Sequence, residues 1–403
     1  MRELTLGESE YLARLAGEFG TPLYAYDAAC IKSQFRRLSE AFSGSEAEIR
    51  YAMKALPNPA VLSLLGTLGS GVDAVSLGEL RLALRAGIPK ERISFTPSLA
   101  PLTDIQAALE LGVHVTLDSL SLLEKFGRIV GPGVPCSLRI NPHIKAGANE
   151  KVQTGHRESK FGISIEQIDE TLQVVAESGI TVTGLHVHTG SDVAEPEIFL
   201  QSADVLFRAA DKFKDVEIFD LGGGFKVSYH FGSHDADVEK IGANCARVRD
   251  EYISRSGRKA RIWLEPGKFL VSAAGFLVVK ANIVKNTPYA VFVGVDSGLN
   301  HLIRPMFYGA YHEIENLSNP SGIKQPYNVV GNICETDTFA TQREIPEVRE
   351  GDLLVFRNAG AYGFSMSSQF NSHPRPAEVL FENGSHQLIR RRETFDDLLA
   401  ALV

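Results

Sequence analysis

The chain has 403 residues, of which 44% are hydrophobic and 22% charged, and its formal net charge is −8 at pH 7. That length exceeds what one compact core usually carries, so two domains are expected, with the composition of an ordinary soluble globular protein. The acidic balance speaks against nucleic acid or an anionic membrane as partner, yet a local cationic pocket could still take an anionic substrate.

The first fifteen residues, Met1 to Leu15, carry charges throughout and lack the apolar core of a signal peptide. From Thr21 to about Gly267, short apolar runs alternate with helical spacing. Residues 48–53, 92–95, 113–117, 136–140, 181–187, 216–221 and 261–264 read as buried parallel strands, and 58–68, 77–86, 102–111, 119–129, 165–177 and 197–213 as helices. Such alternation over roughly 250 residues predicts a (β/α)8 TIM-type barrel, with a doubly wound sheet as the alternative. After Phe269 the rhythm changes. Residues 277–285, 289–295, 325–330, 352–356, 378–381 and 387–391 read as strands joined by Gly, Pro and Asn turns, without regular helices. The expected division is therefore α/β plus all-β, with a barrel over 21–270 and a β-sandwich or barrel-like domain over 271–403. Residues 1–20 lie outside the barrel pattern and are expected on the β-domain. No apolar run reaches membrane-spanning length. Cys30, Cys136, Cys245 and Cys334 form no CxxC pair, which suggests neither zinc nor disulfides and fits a reducing cytoplasm.

In a barrel, chemistry sits at the carboxyl ends of the strands. Lys54 follows the first strand in Tyr51-Ala52-Met53-Lys54-Ala55, an apolar setting in which a lysine loses solvation and can condense with an aldehyde. The alternative is a surface lysine capping the strand. His186 and His188 end a later strand. Spaced HxH they could ligate a metal, but no companion set with suitable spacing follows. His188 fits better as a stacking partner for a planar cofactor, with Ser191 offering a hydroxyl to a phosphate, and His186 reads as a core histidine satisfied by backbone. Gly222-Gly223-Gly224 follows Asp220-Leu221 and would let backbone N–H groups approach an anion, although a glycine triplet is often only a tight turn. Glu265-Pro266-Gly267-Lys268 ends the last strand, where a carboxylate could pair with a protonated ring nitrogen or simply bridge the two domains.

Taken together these residues resemble the fold-type III pyridoxal-phosphate decarboxylases over nearly the whole chain. Further matching segments are Val72-Asp73-Ala74-Val75-Ser76-Leu77-Gly78-Glu79, Ser159-Lys160-Phe161-Gly162, His188-Thr189-Gly190-Ser191, Ile303-Arg304-Pro305-Met306-Phe307-Tyr308, Ile333-Cys334-Glu335 and Gly360-Ala361-Tyr362-Gly363. The resemblance implies pyridoxal 5'-phosphate as cofactor, held by Lys54 and stacked on His188. Ser191, Gly223, Gly224, Gly267, Lys268 and Tyr362 would surround its phosphate, and Glu265 would face the ring nitrogen. It implies that Arg304, Tyr308, Lys268 and Tyr362 bind substrate. It also implies a homodimer in which Cys334, as general acid, and Glu335, as partner of a distal ammonium, enter the other subunit's site. A distal cation and anion suit a substrate with an amino-acid group at each end, which points to meso-2,6-diaminopimelate giving L-lysine and CO2. An amino acid such as ornithine, lysine or arginine, or carboxynorspermidine, is the alternative. Glu265 argues against the racemases of this fold, which place arginine there, and retention of Lys54, Cys334 and Glu335 argues against an inactive homologue. Two positions depart from the family pattern, with Lys268 where arginine is common and Asn149 where histidine is expected.

Overall fold

The computed structural model describes residues 3–147 and 149–403. The expectation for residues 1–20 therefore lies partly outside the described residues, at Met1 and Arg2. By contacts the chain forms two compact units. One comprises Lys32–Val227 and Asp235–Phe269, and the other the chain up to Ile31, Ser228–His234 and Leu270–Val403. The first strand, β1 (Leu23–Asp27), pairs antiparallel with residues 275–278 and parallel with residues 377–381. It therefore belongs to the second unit, although the sequence alone places Thr21 at the start of the barrel pattern. Its pairing partners lie some 250 and 350 residues downstream, so nothing local marks this membership.

The first unit is a closed parallel barrel. Its strands are β2 (Glu48–Ala52), β3 (Gly71–Ala74), β4 (Ile93–Phe95), β5 (His114–Leu117) and β6 (Pro135–Asn141), with the two-residue β7 (Ile163–Ser164) attached to β6, then β8 (Thr181–His186), β9 (Ile218–Asp220) and β10 (Arg261–Leu264). The order is β5-β4-β3-β2-β10-β9-β8-β6, and pairing of β5 with β6 closes the ring. Because both faces of such strands are covered, they read as near-continuous buried runs rather than as alternation. β3 escapes a reading of periodicity, since it has only four residues and one of them is Asp73. The helices start where short polar side chains cap them. Asn58 accepts from the Ala60 amide, Ser76 from Glu79 and Ser119 from Leu122. The helix Val238–Ser256, between the Asp237 cap and the left-handed Gly257, is not among the helices expected from spacing.

The second unit is a mixed nine-stranded sheet. Its further strands are β11 (Gly275–Asn286), β12 (Val291–Val295), β13 (Ile314–Asn316), β14 (Lys324–Val330), β15 (Thr338–Pro346), β16 (Leu353–Phe356), β17 (Ala377–Glu382) and β18 (Ser385–Arg390). The main path runs β15-β14-β12-β11-β1-β17-β18, and β16 pairs with β11 and β13. β11 bends at an irregularity between Ala281 and Ile283. Residues before it are buried except Lys280 and pair with β1 and β16, whereas those after it are mostly exposed and pair with β12. The helix Leu6–Phe19 starts with a Thr5–Glu8 capping box and packs Leu12, Leu15 and Ala16 on Leu23, Ala25, Phe276, Val278 and Val355. The β-rich part is not free of helix, because Arg304–Tyr308 forms a short one. Among the described residues no helix is long and apolar enough to cross a membrane.

Candidate active site

The carboxyl ends of the barrel strands carry a dense set of charged groups. Lys54 sits in the 3-10 turn Met53–Ala55 that follows β2, and its Nζ lies 3.6 Å from Asp73 Oδ2 on β3. The Lys54 side chain is 39% exposed and Asp73 fully buried, so Lys54 faces a carboxylate rather than the apolar surroundings its neighbours in sequence suggest. Its flanking residues Met53 and Ala55 turn into the core, which is why the segment reads as apolar. Burial, and then the negative charge of Glu265, push the Asp73 carboxyl up to about 7, opposed by Lys54 and the Thr96 hydroxyl.

His186 ends β8 with no backbone partner on its ring. Its Nε2 instead lies 3.2 Å from Glu265 Oε2, though not aligned for a hydrogen bond, and burial lowers the ring below its ordinary value against the pull of the Glu265 charge. Burial alone would raise Glu265, but the His186 ring, then Lys54 and His188, hold it well below the usual carboxylate range. Asp220, at the end of β9, behaves in the opposite way. Burial and the Glu265 charge push it well up, while its Oδ1 accepts from the Gly222 amide at 2.9 Å. The same surroundings thus push the two carboxyls apart, Glu265 down and Asp220 up. Ligand atoms of His186, Asp220 and Glu265 lie within 4.8 Å of one another, a spacing a metal ion could also bridge, and His188 is not part of this set. Arg139 on β6 is buried over the Phe161 ring at 4.6 Å, and its charge faces Glu265, Asp118, Asp73 and Asp220.

His188 lies two residues beyond β8. Its Nδ1 accepts from the Gly223 amide at 3.3 Å, so that nitrogen carries no proton, and burial followed by Arg139 keeps the ring well below its ordinary value. The glycine triplet is a requirement of space. A Cβ on Gly223 would stand 2.0 Å from Glu265 O and one on Gly224 2.0 Å from Gly190 O, while Gly222 and Gly224 have φ of +66° and +93°. The adjoining loop is tied to it by Val193 N–H donating to Gly224 O at 2.9 Å, which brings Ser191 and Asp192 to the same place. Lys268 is buried and pairs with the Asp192 carboxylate, and Pro266 O accepts from the Ala52 amide beside Gly267. Asn149 caps the turn Glu150–Val152 through the Lys151 amide.

These residues fit a pyridine ring carrying a phosphate. Glu265 offers a carboxylate whose buried Oε1 has no hydrogen-bond partner, the Lys54 charge acts on it, and a side-chain-free glycine loop runs beside His188.

The second unit holds the remaining candidates. Arg304, which opens the short helix, is 5% exposed and donates from Nη1 to Tyr229 Oη at 2.9 Å and to His312 Nε2 at 3.2 Å. It is not the surface ion pair that an isolated Ile303-Arg304-Pro305 segment would suggest. Tyr308 closes that helix against Phe307, ring centroids 4.7 Å apart. Cys334 and Glu335 are exposed in a loop, with the Cys334 amide bonded to Asn371 Oδ1 at 3.0 Å. Tyr362 has a left-handed φ of +54°. Asp73, Arg139, Asp192, Asp220, Tyr229 and His312 were not singled out from sequence. For Asp73 and Asp220 a signal existed, namely an acidic residue inside an otherwise apolar strand.

Residues 28–272 match the family model of the pyridoxal-dependent decarboxylases, pyridoxal-binding domain. A diaminopimelate decarboxylase of Methanothermobacter thermautotrophicus is 40% identical over 96% of this chain and 92% of its own length. A crystal structure of a diaminopimelate decarboxylase superposes with a TM-score of 0.91 at 35% identity, covering 98% of this chain and 97% of that one. The Helicobacter pylori diaminopimelate decarboxylase, crystallised with L-lysine, gives 0.89 at 33% identity over 96% and 98%.

Proposed function

The chain belongs to the pyridoxal-dependent decarboxylases, and from this premise we propose that it converts meso-2,6-diaminopimelate to L-lysine and CO2, with pyridoxal 5'-phosphate as cofactor. The observation that carries the substrate assignment is the buried Arg304, whose two hydrogen-bond partners are both neutral. A diamine-forming enzyme acting on ornithine or lysine would have no use for a buried uncompensated cation, and leaving one unpaired costs several kcal/mol.

When bound, the cofactor supplies an electron-withdrawing ring that takes up the electron pair left behind by CO2. The barrel of Lys32–Val227 and Asp235–Phe269 holds it, and the second unit supplies the substrate-selecting groups. Lys54 attaches the cofactor aldehyde, and Asp73 keeps the ammonium in place beforehand. Glu265, kept ionised by its surroundings, faces the ring nitrogen, and His186 orients that carboxylate. His188 takes one face of the ring, held in position by the Gly223 amide. Ser191, Gly223, Gly224, Gly267, Lys268 and Tyr362 surround the phosphate. Arg304 and Tyr308 take the carboxylate that does not react, with Lys268 and Tyr362 alongside. Cys334 and Glu335 come from a second copy of the chain in a homodimer. There Cys334 delivers a proton to the carbon that lost CO2, and Glu335 takes the distal ammonium. The partners are thus a small amino acid and a second copy of the chain, not nucleic acid or membrane, and the place of work is the cytoplasm. Arg304→Leu tests the substrate assignment. It should lower kcat/KM for diaminopimelate by about 2–5 kcal/mol, roughly 30- to several-thousand-fold, and equal losses on a substrate without a distal carboxylate would overturn the assignment.

A further inference from the structure

The Arg304 guanidinium is held through a single nitrogen, and each group that holds it is neutral. A guanidinium has no lone pair, so His312 Nε2, 3.2 Å from Nη1, must accept. A backbone carbonyl has no proton, so His312 Nδ1, 2.8 Å from Arg357 O, must donate. One ring that accepts at Nε2 and donates at Nδ1 is a neutral imidazole of fixed tautomer. The second arm is ordered in the same way. Tyr229 Oη accepts from Nη1 at 2.9 Å, which sends its own proton to Ser272 Oγ at 2.9 Å, and Ser272 Oγ donates to Asn358 O at 3.2 Å. Both arms therefore end on carbonyls of consecutive residues, Arg357 and Asn358, just beyond β16. The Tyr229 and His312 rings stand edge to face at 5.6 Å, and Asn358 Nδ2 is fixed by Ser228 O at 2.7 Å.

The two hydrogens of Nη1 are thus both taken. Nε is buried and has no hydrogen-bond partner, and among the described residues no carboxylate stands in ion-pair range of Arg304. A carboxylate in place of either arm would hold the guanidinium equally well but would satisfy its charge, so a substrate carboxylate would have to displace it.

We propose that Tyr229 and His312 are positioning residues that pin Arg304 through Nη1 and leave the rest of the guanidinium, with its charge unspent, to receive a substrate carboxylate. This rests on Arg304 being the group that takes the distal carboxylate. Burial, then the Arg304 charge, push His312 down to about 3, so the acceptor persists throughout the neutral range.

The test compares Tyr229→Phe and His312→Asn, which each remove one acceptor from Nη1, with His312→Gln, which keeps an acceptor within reach of it. Asparagine retains a donor for the Arg357 carbonyl. The KM for meso-diaminopimelate should rise about tenfold in the first two variants, the worth of one hydrogen bond to a charged group, with a smaller change in kcat. His312→Gln should recover most of it. The inhibition constant of cadaverine, a diamine with no carboxylate for Arg304, should stay as in the parent enzyme, whereas that of L-lysine, which retains the unreacted carboxylate, should rise with KM. If cadaverine inhibition weakens in step with the diaminopimelate KM, the two residues are merely structural and the proposal fails. If Arg304→Leu raises KM but Tyr229→Phe and His312→Asn do not, Arg304 needs no positioning and only this proposal fails. If Arg304→Leu itself has no effect, the reading of Arg304 fails first. Tyr229→Phe removes a single hydroxyl and carries the test alone should His312→Asn not fold.

Discussion

His186 Nε2 stands 3.2 Å from Glu265 Oε2 at the carboxyl ends of the barrel strands, and both side chains are almost fully buried. This pairing keeps Glu265 ionised against the burial that would otherwise protonate it. Glu265→Gln preserves shape but removes the charge facing the ring nitrogen, so turnover should fall by about 2–4 kcal/mol, roughly 30- to 1000-fold. His186→Asn should give a smaller loss of the same kind. Cofactor affinity and turnover measured together check this. A His186→Asn loss exceeding that of Glu265→Gln would show that His186 does more than orient the carboxylate.

Asp73 predicts a pH dependence. Its carboxyl is raised to about 7 from 3.8 in the folded protein, so folding binds its proton. Its contribution to stability is fully present below about pH 3.8 and is lost as pH rises through 7. Asp73→Asn should remove that dependence and make the cofactor-free protein relatively more stable at pH 8, on the order of 1–4 kcal/mol. Urea unfolding from about pH 4 to pH 8 is the measurement. Parallel curves for the two proteins would mean that Asp73 is not a raised carboxyl.

The pair of Lys268 and Asp192 separates two roles for the lysine that stands in place of the common arginine. Asp192 neighbours Ser191 on the loop bonded to Gly224, so Lys268 should act on the phosphate more than on the substrate. Lys268→Met should weaken cofactor binding by about tenfold or more, the scale of one charge-assisted hydrogen bond, before it raises the KM for diaminopimelate. A change in KM with cofactor affinity intact would place Lys268 on the substrate.

Much of the barrel was legible because its signals are local. Asn58 and Ser119 cap the helices where spacing places their starts, and Gly222–Gly224 is a turn that no other residue could make. What was hidden is set by distant pairing. Leu23–Asp27 reads as any buried strand, and only its partners near 277 and 379 assign it to the second unit. The setting of Lys54 was misread because its chain neighbours are apolar while its spatial neighbour is Asp73. The neutral arms on Arg304 could not be read at all, since Tyr229 and His312 lie 83 residues apart in sequence.

A shared site predicts complementation. Lys54→Ala and Cys334→Ala chains should each be inactive alone. Mixed equally and allowed to exchange, half of the dimers are hybrids with one intact site, so about a quarter of the parental activity should return. No recovery despite exchange shown by mass spectrometry would rule out Cys334 acting across a dimer.

The central claim is tested most directly by CO2 release from a substrate panel with the purified, cofactor-loaded protein. The panel comprises meso-diaminopimelate, its stereoisomers, lysine, ornithine, arginine and carboxynorspermidine. The account predicts CO2 and L-lysine in equal amounts from meso-diaminopimelate, with kcat/KM at least about a hundredfold above any substrate lacking a distal carboxylate. Comparable or faster release from lysine, ornithine or arginine would contradict it.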